Sequence, residues 1–408
     1  MSAQGRSGTR VLVRGAGIVG LAVADELTRR GHVVRVVDPS PGSGASYAAA
    51  GMLSPSAEVW WGEEVLLDLG VRSAGEWPAW ASRLGVDLHP RGTLLVGHDH
   101  GDLQQVERQA ALLARLGRAA EPWTAADVRH HEPTVGRVAG GLHLPEDHAV
   151  DPRAVVAALL ARVPVAATVA ATVSDGFRPD VEVVATGAVL PGPWAPLVRG
   201  VRGEVLRLRT DDPPTRVLRG WVRGEPVYVV PRGPADRLRP VDACSRTAPA
   251  AVEVVVGATS EEHDAPPVVT VGGVARLLDA VRTLLPGLER AELVEATARD
   301  RPATPDHLPL VGPAPGHAGP GAPRLLLAAG LFRHGVLLAP LVARLVADQV
   351  EHDVPPEPAL DPRRLTHLLA PTDRPTDGPT DRPTDRPTDG PTASRTEGDT
   401  RAPARAQR

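Results

Sequence analysis

The sequence predicts an α/β plus α+β protein: a domain of strand–helix–strand units interleaved with an antiparallel-sheet domain, followed by a disordered C-terminal tail. Three observations carry this. The chain opens on a strand, a glycine-rich turn, a helix and a second strand within residues 11–38. An apolar strand and a helix return at 324–329 and 335–350, with runs that read as antiparallel strands between. Residues 371–392 repeat Pro-Thr-Asp-Arg or Pro-Thr-Asp-Gly without an apolar side chain. Such a segment cannot offset the entropy of ordering.

The elements follow in order. Residues 11–14 are a short apolar strand leading into Gly15-Ala16-Gly17-Ile18-Val19-Gly20. Residues 21–30 read as a helix with Leu21, Val23, Ala24 and Leu27 on one face, stopped by Gly31. Residues 32–37 are a second strand, ended by Asp38. The Gly-, Ala- and Ser-rich stretch 42–55 is a loop able to fold closely around a ligand. Helices are expected at 63–84 and 103–116, with a strand at 91–96 between them. Another helix spans 151–163, with Asp151 as N-cap and Pro152 in first position. Strands are expected at 181–187, 203–209, 227–230 and 252–257, then a helix at 274–285 stopped by Pro286-Gly287. Residues 233–251 read as a long irregular connection, and Arg301 and Arg333 as loop arginines.

Composition narrows the chemistry. A chain of 408 residues exceeds one ordinary domain. A net charge of −4 gives no electrostatic case for nucleic acid or an anionic membrane. All 45 basic residues are arginine. Without lysine there is neither a pyridoxal-phosphate Schiff base nor a P-loop. The single cysteine, Cys244, excludes an intramolecular disulfide. With a polar N-terminus and no bilayer-length apolar run, it points to the cytoplasm. The histidines show no metal-ligand spacing, and no metal is expected.

The Gly15-x-Gly17-x-x-Gly20 pattern has a mechanical reading. Gly15 permits a tight turn, Gly17 lets the backbone approach a pyrophosphate, and Gly20 lets the helix pack on the strand. The helix N-terminus then attracts phosphate. Asp38 lies 18 residues past Gly20, where a ribose-binding acid belongs. This motif does not separate NAD from FAD.

Further segments do. They are Ala48-Ala49-Ala50-Gly51-Met52-Leu53, Val201-Arg202-Gly203-Glu204, Val227-Tyr228-Val229-Val230-Pro231-Arg232 and Val256-Gly257-Ala258-Thr259. Arg301-Pro302-Ala303-Thr304-Pro305-Asp306 follows, then Ala329-Gly330-Leu331-Phe332-Arg333-His334-Gly335-Val336-Leu337-Leu338-Ala339-Pro340. In this order, over residues 11–350, they resemble the D-amino-acid oxidase superfamily, within it the glycine oxidase branch of thiamine biosynthesis. The resemblance implies a Rossmann-like FAD-binding domain in three parts, 10–90, 151–200 and 296–365. A substrate domain would occupy 91–150 and 201–295, and the tail 366–408.

The resemblance implies that Arg301, Arg333 and Tyr228 bind the substrate and serve the catalytic site. It also implies non-covalent FAD held by Gly15, Gly17, Ile18, Val19, Gly20, Asp38, Ser46, Ala50, Gly51, Met52, Val169, Thr186 and Gly187. The last motif, Gly330, Leu331, Phe332, Arg333, His334, Gly335, Val336 and Leu337, would complete that site. The implied reaction is oxidation of glycine to an imine and glyoxylate, with O2 reduced to H2O2. Oxidation of sarcosine, proline or D-amino acids on the same fold stays open, as does FAD binding without turnover. A homo-oligomer is implied by the resemblance alone. The sequence departs from the family at Thr297-Ala298-Arg299-Asp300-Arg301-Pro302-Ala303, where Trp-Ala-Gly-Leu-Arg-Pro-Gly is usual.

Overall fold

The computed structural model describes residues 8–173, 176–233, 251–317 and 321–369. Six strands form one sheet in the order Leu310–Pro313, Arg324–Ala329, Val181–Val184, Arg10–Arg14, Val33–Val37, Val165–Ala166. Every pair is parallel except the first. Val11, Leu12 and Val13 are buried together, because a parallel strand is covered on both faces. That is why the first strand reads as an apolar run and not as an alternation.

The helices Ile18–Arg29 and Ala339–His352 join the core on this sheet. The long helix Glu64–Leu84 contributes Trp77 and Trp80, packed edge to face at 4.7 Å. The Trp77 indole and the Ser73 hydroxyl both donate to the Leu337 carbonyl, at 2.9 and 2.6 Å. These two bonds tie the last motif to the core from behind.

A second sheet of eight strands runs Glu292–Ala303, Arg199–Thr210, Val252–Gly257, Glu225–Pro231, Val217–Val222, Thr93–Gly97, Gly140–Leu144, Glu121–Thr124. Its pairs are antiparallel apart from Val217–Val222 with Thr93–Gly97. Helix Val271–Leu284 covers one face with Leu277, Val281 and Leu284. The fold is thus the mixed α/β and antiparallel arrangement expected from the sequence.

The strands at 252–257 and 324–329 fall where the sequence places them. Other elements differ. The stretch 42–55, expected as a loop, contains the short helix Ala45–Ala48 and the strand Met52–Leu53, and a further helix begins at Pro55. The last helix starts at Ala339 rather than Gly335, with Pro340 in its first turn, where a missing N–H leaves nothing unpaired. Residues Phe332–His334 form a separate 3-10 turn. Arg301 stands not on a loop but on the 12-residue strand Glu292–Ala303, at the edge of the large sheet. This strand runs through the 295/296 division drawn from the sequence. The repeat tail, Cys244 and residues 234–250 lie outside the described residues. No described helix is long and apolar enough to cross a membrane.

Candidate active site

A cavity of about 840 Å³ opens where the C-terminal ends of the six-stranded sheet meet the eight-stranded sheet. Ligands of open α/β sheets collect at such strand ends.

At one end lies the glycine-rich turn. Gly15 takes φ +107°, in the left-handed region, directly against the Ala185 carbonyl. Helix Ile18–Arg29 begins at Gly17 without a side-chain cap, so its N-terminal dipole faces the cavity. A Cβ on Gly17 would stand 3.3 Å from Ser46 Oγ and fill the slot between them. Ser46 Oγ accepts from the Ile18 N–H at 3.0 Å, leaving its own proton to donate. Asp38 accepts from the Ala16 N–H at 2.6 Å and the Ser40 N–H at 2.7 Å. A carboxylate with about four acceptor sites retains capacity for ribose hydroxyls. The donor slot, the helix N-terminus and the spare acceptor suit a dinucleotide. Val169, Thr186 and Gly187 extend the lining at this end.

The large sheet builds the other end. Arg219 and Tyr228 are directly paired across two strands, so their side chains share a face. Tyr228 lies over Gly257, where any Cβ would collide with its ring and hydroxyl. The Arg301 guanidinium lies in the same way over Gly203. Its Nη1 donates to the carbonyls of Arg202 at 3.3 Å and Thr259 at 3.2 Å. The other edge of the fork has no protein partner among the described residues. Burial pushes the Tyr228 phenol up, so it remains a hydrogen-bond donor. Arg232, buried, donates to the carbonyls of Ala50 at 2.6 Å and Val150 at 3.0 Å. It thereby fixes the Ala50-Gly51-Met52 edge of the cavity. Burial brings its pKa down to about 10.

Among the lining residues that the sequence reading did not single out are Glu58, Trp60 and Arg219. Glu58 pairs closely with Arg219. Its other oxygen faces Arg333 Nε at 3.8 Å and His334 Nδ1 at 3.5 Å. Arg333 itself donates to Glu63 at 2.6 Å and to the Glu58 carbonyl at 3.1 Å. Burial opposes ionisation of Glu58, yet Arg219, His334 and Arg333 together hold it below the usual carboxylate range. Arg299 turns toward the cofactor end, donating to the Ser43 carbonyl at 2.8 Å.

Of the expected residues, Arg301, Arg333 and Tyr228 share the cavity with Gly15, Gly17, Ile18, Val19, Asp38, Ser46, Ala50, Gly51 and Met52. Gly330, Leu331, Phe332, Gly335 and Val336 line it too. Gly20, His334 and Leu337 do not. Gly20 faces the Gly15 carbonyl, where a side chain would collide. His334 is buried behind Arg333, and burial brings its pKa down to about 4. Leu337 serves through its carbonyl, bonded to Trp77 and Ser73. The lining contains no cysteine or histidine among the described residues.

The model of the DAO family, FAD dependent oxidoreductase, matches residues 10–349, and that of the PT disordered repeat matches 370–405. A protein of Rhizobium etli with the provisional name thiamine biosynthesis oxidoreductase ThiO is 35% identical, over 83% of this chain and 95% of its own. The bifunctional protein ThiO/ThiG of Trichormus variabilis is 31% identical, over 83% of this chain but 52% of its own length. This chain thus spans about half of that protein. The crystal structure of glycine oxidase from Geobacillus kaustophilus superimposes with a TM-score of 0.69 at 28% identity, covering 84% of this chain and 95% of that one.

Proposed function

The chain belongs to the DAO family of FAD-dependent oxidoreductases, and on that premise we propose that it is a glycine oxidase of thiamine biosynthesis holding FAD non-covalently. The net reaction is glycine, O2 and water giving glyoxylate, ammonia and H2O2, with the imine available for thiazole synthesis. The carrying observation is the open edge of the Arg301 guanidinium, in one cavity with Tyr228 and the glycine-rich turn. The name of the Geobacillus kaustophilus structure supports this choice of substrate, and that of the Rhizobium etli relative the link to thiamine biosynthesis.

Gly17, Ile18, Ser46 and Asp38 would hold the pyrophosphate and ribose; Ala50, Gly51 and Met52 would border the ring. Bound there, FAD supplies the hydride acceptor and the route of electrons to O2. The chain's own residues do the rest. A planar fork suits a carboxylate, and Tyr228, kept protonated, donates beside it. Fixing the carboxylate helps to orient the α C–H bond, and orientation of this kind lowers the barrier. Glu58 is held ionised below the usual carboxylate range, and His334 is neutral with its pKa at about 4. Neither is suited to take a proton from an ammonium near pH 7. A substrate that enters as the neutral amine needs no general base.

The test is the visible spectrum of the purified protein with glycine in the absence of oxygen. Bleaching of a flavin spectrum is expected. A flavin spectrum that persists with glycine but bleaches with sarcosine, proline or a D-amino acid would reassign the substrate.

A second expectation concerns Gly203. A methyl at this position would occupy the volume of the Arg301 guanidinium. Overpacking of this kind costs about 1–3 kcal/mol, so Gly203→Ala should raise KM for glycine roughly tenfold. FAD affinity, read by flavin fluorescence, should not change. Loss of both together would mean that Gly203 supports the fold and not the arginine.

A further inference from the structure

One wall of the substrate end carries four charges in two ion pairs. Arg219 is matched by Glu58, and Arg333 by Glu63. Glu58 is buried and ionised. His334 behind it is neutral at physiological pH. His307, 3.5 Å from Glu63, stands on the outer side of the second pair. Two guanidinium groups and two carboxylates give this wall no net charge. Arg301 is different: its bonds go to carbonyl oxygens, and no carboxylate is paired with it among the described residues. Arg299, its neighbour on the same strand face, reaches away to the Ser43 carbonyl.

The sheet sets the relative positions. Tyr228 is the direct cross-strand partner of Arg219, and Arg301 acts on Tyr228 electrostatically from its other side. A ligand carboxylate seated on Arg301 and Tyr228 therefore has the Glu58–Arg219 pair as its next neighbour. A second carboxylate on the same ligand would meet Glu58, an anion in a poorly solvated wall, and would have to displace it from Arg219. Like charges placed together at a buried contact are strongly disfavoured.

We propose that Glu58 is a specificity-determining residue: by occupying Arg219, it restricts the site to amines carrying one carboxylate and excludes aminodicarboxylates. This rests on the reading that Arg301 holds the substrate carboxylate. Arg219 is then a latent second carboxylate site, closed by its partner.

The experiment uses the holoenzyme. Acetate and malonate are titrated against the flavin absorbance of wild type, Glu58→Gln and Glu58→Gln/Arg219→Met. Wild type should bind acetate in preference to malonate. In Glu58→Gln the ratio of malonate to acetate dissociation constants should fall at least about tenfold, and the double variant should restore it. An unchanged ratio in Glu58→Gln overturns the proposal. So does a double variant that retains the gain, because the gain would then not come from Arg219. Should Glu58→Gln not fold, wild type decides through turnover. Sarcosine and iminodiacetate differ by one carboxylate, and comparable kcat/KM for the two would overturn the proposal. Failure of the underlying reading looks different: acetate affinity would survive Arg301→Ala.

Discussion

Arg301→Ala is expected to lower kcat/KM for glycine by roughly a hundredfold or more, since truncating one partner of a desolvated charge pair costs about 2–5 kcal/mol. The argument rests on what the guanidinium touches. Only Nη1 is engaged, by two backbone carbonyls. The loss therefore does not strand a protein carboxylate. Nor does it open the core, because the side chain lies on Gly203 at the cavity wall. On the proposed function, what goes is the two-point hold on the substrate, and with it the alignment of the α C–H bond. FAD affinity and melting temperature should stay close to wild type. Arg301→Lys should recover a part only, because a point charge cannot reproduce the fork. Steady-state kinetics with glycine, paired with a flavin titration, checks this. If Arg301→Ala keeps its KM, the carboxylate sits elsewhere, and Arg333 would be the next candidate.

The legible parts of this molecule were local in sequence. Gly15-Ala16-Gly17-Ile18-Val19-Gly20 announces its own geometry, because turn, helix start and ligand approach are built from six consecutive residues. The strands 252–257 and 324–329 are apolar because their faces are buried. The strand Glu292–Ala303 lacks that signature for a physical reason. One of its faces, Glu295, Thr297, Arg299 and Arg301, looks onto the cavity and the short helix that carries Tyr47, where its side chains make ion pairs and hydrogen bonds, so no apolar alternation arises. Its function hides its structure. Glu58 and Arg219 were illegible in another way. They meet across 161 residues, and neither sits in a recognisable motif. Pro340 did carry a usable signal, since a proline so close to a helix start fixes where the first turn lies.

Gly15→Ala is expected to weaken FAD binding about tenfold or more, at a cost of roughly 1–3 kcal/mol for a side chain held in a sparsely populated backbone region. Two features compound at this residue. Its φ of +107° is one that L side chains rarely adopt. An added Cβ would also collide with the Ala185 carbonyl at the end of the neighbouring strand. Relief requires the turn to move. The turn carries the Gly15 N–H bonded to Val37 at 2.9 Å and the Ala16 N–H bonded to Asp38 at 2.6 Å. Displacing it re-aims the helix N-terminus and Asp38 together, so cofactor affinity should suffer more than the fold. Gly31→Ala separates the two effects. Gly31 has a comparable φ of +86°, follows the same helix, and has open space where a Cβ would go. It should lower the melting temperature through backbone strain while leaving FAD affinity intact. Apoprotein titrated with FAD, followed by fluorescence quenching, gives the comparison. If both variants weaken FAD equally, the loss reports general destabilisation, and the glycine-rich turn is not the pyrophosphate cradle.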